Sequence, residues 1–226
     1  MIISKQKAVE NILKSLEGYN KIFLVGCGEC ATTCKSGGEE ELALMQEELK
    51  KHGKSVVGSC IPDAPCVAAQ IKTGLAKNML ALREAEAVLV FACGLGTQSV
   101  KENNRLDKVV LPGCDTLFGA TVDAKGDFLE KCSMCAECVL DITGGICPIT
   151  LCSKGLLNGP CGGTDQGKCE VDKDKDCAWV LIYKELDNRK QLEKIRKAQS
   201  PKNYKLTQKP RKLSLRCGDV DKTANT

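Results

Sequence analysis

KIFLVGCGECATTC, residues 21–34, joins a short apolar run to a turn that carries three cysteines. The run has no polar face, the pattern of a strand covered on both sides. It recurs at SVVGS (55–59), AVLVFACG (87–94) and KVVLPGC (108–114). Between the runs lie helical stretches. GGEEELALMQEELKKHG (37–53) has acidic residues in its first turn and lysines in its last, which suits the helix dipole. A second helix is expected around 66–82 and a short one in GLGTQSVKENN.

Strands alternating with helices imply a parallel sheet with right-handed crossovers. Residues 1–125 are therefore predicted to form a small α/β domain, flavodoxin- or Rossmann-like, with its sheet between about residues 20 and 120. Residues 1–20 read as an amphipathic helix with Val9, Ile12, Leu13 and Leu16 on one face. TVDAKGDFLEK (121–131) reads as a linker.

Cys27, Cys60, Cys93 and Cys114 each fall at or just after the carboxyl end of a predicted strand. Ligands of open α/β sheets bind at that edge. Cys30 and Cys34 lie in the loop after the first strand, and Cys66 follows the second strand in PDAPC. One metal site is expected here, on Cys27, Cys30 and Cys34, with Cys93 or Cys66 as the fourth ligand. Cys60 and Cys114 read as small buried hydrophobes. The glycine turns GCGEC and CGLG are not G-x-G-x-x-G, so they give no dinucleotide fingerprint. The spacing of the three-cysteine loop is also not that of radical-SAM enzymes.

A second concentration of thiols, Cys132, Cys135, Cys138, Cys147, Cys152, Cys161, Cys169 and Cys177, lies in residues 126–199. Four thiolates complete one tetrahedral zinc site or one [4Fe–4S] cluster, so eight complete two. Cys132-x2-Cys135-x2-Cys138 is the three-ligand run of a bacterial ferredoxin, and Cys147-Pro148 echoes its closing Cys-Pro. Eight residues separate Cys138 from Cys147 where a ferredoxin has three, so a plain ferredoxin fold is not expected. Three four-cysteine sites exceed what docking requires, which favours [4Fe–4S] clusters. The alternative is Zn2+ at one or more of these sites, in a structural scaffold without redox chemistry. The glycine pairs Gly144-Gly145 and Gly162-Gly163 are expected to let backbone N–H groups approach the sulfurs.

Aromatic residues make up only 4% of the 226-residue chain, so a core must rest on Val, Leu, Ile and Ala. The single histidine, His52, sits at a helix end before a glycine, which disfavours Cys2His2 zinc sites, Ser-His-Asp triads and Cys-His pairs. The N-terminal residues show no export signal, and no apolar run has the length of a membrane span. A cytoplasmic protein with reduced cysteines is expected, so the thiols other than Cys60, Cys114 and Cys217, the last in the unpatterned tail, read as metal ligands rather than disulfides. After Cys177, AWVLIYKELDNRKQLEKIRKAQ reads as one long helix opened by Asp176, with Trp179 in a structural role. From Ser200 to residue 226 the chain loses periodicity. With seven Lys/Arg against two Asp, it reads as a basic solvated extension or a partner-binding arm. Scarce aromatics argue against nucleic acid.

The blocks GGICP, LLNGPCGG and GKCEVD, within Cys132–Tyr183, resemble the cysteine-rich C-terminal domain of methylene-tetrahydrofolate reductases, in the separate MetV-type small subunit of acetogenic bacteria. GCGECATTCKSGG and FACGLGTQSV also resemble that subunit. The resemblance implies a flavin-bearing catalytic partner that makes methyl-tetrahydrofolate in the Wood–Ljungdahl pathway, and a chain that is not catalytic alone. The expected function is iron–sulfur electron transfer to that partner, with a further electron-donor protein as a second partner.

Overall fold

A computed structural model describes residues 1–213. It divides between Leu129 and Glu130 into two compact units.

The first unit runs β1 (Ile2–Gln6), α1 (Val9–Ser15), β2 (Lys21–Val25), α2 (Cys30–Thr33), α3 (Glu39–Lys51) and β3 (Ser55–Cys60). It continues with α4 (Ala68–Lys77), α5 (Met79–Glu84), β4 (Ala87–Val90), α6 (Gly94–Asn103), β5 (Val109–Pro112), β6 (Cys114–Val122) and β7 (Phe128–Glu130). The central sheet has the order β3-β2-β4-β5 with every pairing parallel. The α/β expectation therefore holds, and the order corresponds to the first four strands of the flavodoxin type.

Side-chain alternation builds two cores. Phe23, Val25, Val88 and Val90 face one way, under Ile71 and Leu75 of α4, Leu82 of α5 and Val100 of α6. Ile22, Leu24, Ala87 and Leu89 face the other, under Ile12 of α1 and Leu42, Met45 and Leu49 of α3. Since successive strand residues point to opposite faces, a run with no polar face must be covered on both.

The strand order reverses between β2 and β4, because β2 is followed in the chain by β3 on one side and by β4 on the other. That reversal opens a crevice at the carboxyl ends of the two strands. The chain is drawn in tightly behind it. A β-carbon at Gly37 would overlap the Phe91 carbonyl, so only glycine lets the segment before α3 lie against the end of β4.

Three local readings differ from the structure. Residues 2–6 are a strand, not the start of a helix; β1 pairs antiparallel with β6, Gln6 opposite Cys114. That partner is more than a hundred residues away, beyond any local periodicity. The stretch 121–131, expected as a linker, instead holds the end of β6 and all of β7, strands of the same three-stranded sheet. β6 is largely exposed, so its sequence lacks the apolar run that marks the central strands. Finally, the helix after Cys177 is shorter than expected. Here α8 spans Ala178–Asn188, with Cys177 rather than Asp176 at its N-cap, and a 3-10 turn at Leu192–Ile195 follows.

The second unit has little regular structure before α8; α7 (Pro148–Leu151) is a single turn. Its core is small: Trp179, Ile182 and Leu186 of α8 pack against Ile146, Leu156 and the thiols of Cys152 and Cys177. The Trp179 indole Nε1 donates to the Leu156 carbonyl at 2.9 Å, anchoring the helix to the loop that carries the cysteines. Gly144 (φ 64°) is left-handed and passes so close to α8 that a β-carbon would meet Glu185 Cγ at 2.8 Å. Gly144 thus makes room for a helix. Among the described residues, no helix is long and apolar enough to cross a membrane.

Candidate metal centre

Five thiols collect at the carboxyl edge of the parallel sheet. Cys27 follows β2 and is buried, its thiol 3.7 Å from the Asp63 carbonyl. Cys30 begins α2 and Cys34 caps its end, both half-buried. Cys93 follows β4, is buried, and is the N-cap of α6. Cys66 is exposed on the loop after β3.

Backbone contacts bring that loop to the others. Gly28 and Glu29 donate their N–H groups to the carbonyls of Pro62 and Asp63, at 2.9 and 3.0 Å. A β-carbon at Gly96 of α6 would stand 3.2 Å from Pro65, next to Cys66. Glycines at 28 and 96 therefore let three loops close on one another at the crevice.

The thiols also influence one another's ionisation. Desolvation raises the pKa of Cys34, a backbone hydrogen bond at Ser4 opposes it, and the thiolates of Cys30, Cys27 and Cys93 raise it further. For Cys66 desolvation again leads, followed by Cys93, with Cys27 and Cys30 adding to the rise. Cys27, Cys30 and Cys93 therefore lie within electrostatic reach of both Cys34 and Cys66. The Cys34 thiol reaches the Ile2 carbonyl at 3.9 Å. Cys60 packs against the core and Cys114 lies within it, and burial pushes each thiol up to about 12.

In the second unit, Cys152, Cys161, Cys169 and Cys177 line one small cavity with Trp179, Lys154 and Glu170. Lys154 is ion-paired with Glu170, and the Cys161 thiol donates to the same carboxylate at 3.4 Å. The Cys169 sulfur lies 3.5 Å from Ser153 Oγ. That contact, with backbone hydrogen bonds at Val171 and Asp172, holds the Cys169 pKa below the usual thiol range.

Cys132, Cys135 and Cys138 lie on an irregular loop in which Met134 (φ 56°) and Ala136 (φ 68°) are left-handed. A residue other than glycine in that region costs roughly 1–2 kcal/mol. Alternating right- and left-handed residues turn successive N–H groups inward, the form of many phosphate and Fe–S sites. The Met134 N–H lies 3.4 Å from Cys132 Sγ. Cys135 is held below its ordinary pKa although desolvation opposes this; hydrogen bonds at Glu137 and Lys202 outweigh it. Cys147 is half-buried at the N-cap of α7, its thiol 3.7 Å from Thr150 Oγ1.

Among the described residues, no group of three or more His, Cys, Asp or Glu side chains is gathered closely enough to hold a single metal ion. The donor set is nevertheless uniform and soft, as thiophilic metals require. Four thiolates at 2.3 Å from one zinc would crowd together, whereas a four-iron core holds its thiolates farther apart.

The sequence missed several charged residues at these thiols. Lys154 and Glu170 stand two and one residues after Cys152 and Cys169, and that adjacency was the available signal. The basic tail carries others. Lys202 Nζ donates to the Glu137 carbonyl, the Asn203 N–H to Glu137 Oε2 at 2.6 Å, and Arg211 to the Met134 carbonyl at 3.3 Å. Residues 202–211 therefore tie down the Cys132–Cys138 loop. Cys217, which reads as a bystander in the sequence, lies outside the described residues.

Residues 111–205 match the family model described as methylene-tetrahydrofolate reductase C terminal. The matched segment includes all eight cysteines from Cys132 to Cys177 and the part of the tail bearing Lys202. The match covers less than half of the chain, and the five thiols of the crevice precede it. No curated protein and no solved structure matches the chain.

Proposed function

We propose that the chain is the iron–sulfur electron-transfer subunit of a methylene-tetrahydrofolate reductase, cytoplasmic and not catalytic alone. Its partners would be a flavin-bearing catalytic subunit and an electron-donor protein. The matched segment supports the association with a reductase. The observation that supports the electron-transfer reading is that Cys27, Cys30, Cys34, Cys66 and Cys93 lie on three loops at the strand-order reversal, which the contacts at Gly28 and Gly96 hold together.

Bound [4Fe–4S] clusters would supply one-electron transfer. The chain's own task is to hold them with thiolates and limit water around them. Cys27 and Cys93 are buried, and the glycine contacts at Gly28 and Gly96 keep their loops close. In the matched segment, the left-handed turns at Met134 and Ala136 and the α8 core at Trp179 hold the cysteine loops.

The test is reconstitution with the flavoprotein subunit. The chain alone should reduce no methylene-tetrahydrofolate, and the pair should do so with an external electron donor. Cys30→Ala should slow donor-driven turnover while sparing turnover driven by a dye that reduces the flavin directly. Equal donor-driven rates in variant and parent would overturn electron entry through the crevice. Colourless protein containing zinc would favour the scaffold reading instead.

A further inference from the structure

The eight cysteines from Cys132 to Cys177 can be divided into fours in many ways, and their spacing selects none of them. The geometry points to one division: Cys152, Cys161, Cys169 and Cys177 together form a single four-thiolate metal centre, roofed by the Lys154–Glu170 ion pair. This rests on the reading above that the segment binds metal, and it goes further by naming which thiols share a centre.

Four independent features bring these residues together. All four line the same small cavity, and no other described cysteine does. Cys169 and Cys177 are placed by one backbone turn: the Cys177 N–H donates to the Gly167 carbonyl at 2.8 Å, and the Cys169 N–H to the Lys175 carbonyl at 3.0 Å. Cys152 is tied in from the other side, because it and Cys177 both pack on the Trp179–Ile182–Leu186 core. Cys161 is tied in by Glu170, which accepts from its thiol and from Lys154.

The roof has its own sequence requirement. A β-carbon at Gly163 would overlap the Glu170 carboxylate, so glycine there lets the acid fold back over the turn that carries Cys161. Gly163 thus makes room for a carboxylate. Lys154 lines the same cavity as Cys161 and Cys152. An ammonium beside a centre of four negative thiolates offsets part of their mutual repulsion. The cavity is too small for an organic cofactor, and Trp179 and Pro160 complete its lining. Its only uniform donor set is sulfur, which selects a thiophilic metal: a four-iron cluster or zinc.

The test uses the full chain, loaded anaerobically with iron and sulfide or, separately, with zinc. Metal is withdrawn stepwise with a chelator, newly exposed thiols are alkylated, and labels are located by mass spectrometry. Cys152, Cys161, Cys169 and Cys177 should lose protection together, so that partly stripped molecules carry labels on all four or on none. Cys161→Ser should expose the other three while Cys135 and Cys138 stay protected. Separate release of any of the four, or release of Cys135 in step with Cys161, overturns the division. The stripping pattern of the unaltered chain decides this even if the variant does not fold. A chain that takes up neither metal overturns the parent reading too, whereas uptake with a different grouping overturns only this inference.

Discussion

The Glu170 carboxylate occupies the space that a β-carbon at residue 163 would need, and from there it pairs with Lys154. Both partners of the pair are substantially exposed, so it stabilises the fold weakly. Gly163→Ala should therefore cost no more than about 1 kcal/mol in urea unfolding, because the far end of a flexible side chain can swing away. A larger loss would mean that the carboxylate is fixed by more than its ion pair.

Gly37→Ala should behave differently. There the obstacle is the backbone carbonyl of Phe91, at the end of a central strand. The chain must shift rather than a side chain, and overpacking of that kind costs roughly 1–3 kcal/mol. Urea unfolding of the first unit should show the loss; an unchanged midpoint would contradict the close approach.

Trp179 anchors the small core of the second unit. Trp179→Ala should destabilise that unit by about 3–5 kcal/mol, and Trp179→Phe by less, since the ring mass remains and only the bond to Leu156 is lost. Circular dichroism in urea can follow both variants, because the chain's single tryptophan is the residue removed.

Burial holds the Cys60 and Cys114 thiols at about 12, against an ordinary 9.0. The folded chain thus keeps two protons that the unfolded chain gives up above pH 9. The sign follows: their contribution is complete below about pH 9 and is lost as pH rises toward about 12. Each thiol can add up to about 1.4 kcal/mol of lost stability per pH unit in that window. Cys114→Ala should flatten the pH dependence of unfolding between pH 9 and pH 12, and an unchanged slope would count against its burial.

Much of this architecture is legible in the residues. The two central strands, β2 and β4, announce themselves because Phe23, Val25, Val88 and Val90 and their neighbours are buried on both faces, leaving runs with no polar gap. β1 escaped because half its pattern is set by β6, a partner remote in sequence, and β6 escaped because most of its side chains face water. The crevice thiols were found from their place after strands, but their mutual arrangement depends on the loop 61–66 lying against Gly28 and Gly96. The turns at Met134 and Ala136 use residues that do not favour a left-handed backbone, so composition gave no warning of them.

The most direct measurement is the iron, acid-labile sulfide and zinc content of the anaerobically purified full chain, with its visible absorbance before and after dithionite. Three four-iron centres predict about 12 iron and about 12 sulfide per chain, with brown colour bleached on reduction. Cys30→Ala should lower the iron by about four, one centre's worth. Colourless protein with zinc in place of iron, or full iron in the Cys30→Ala chain, would contradict the account.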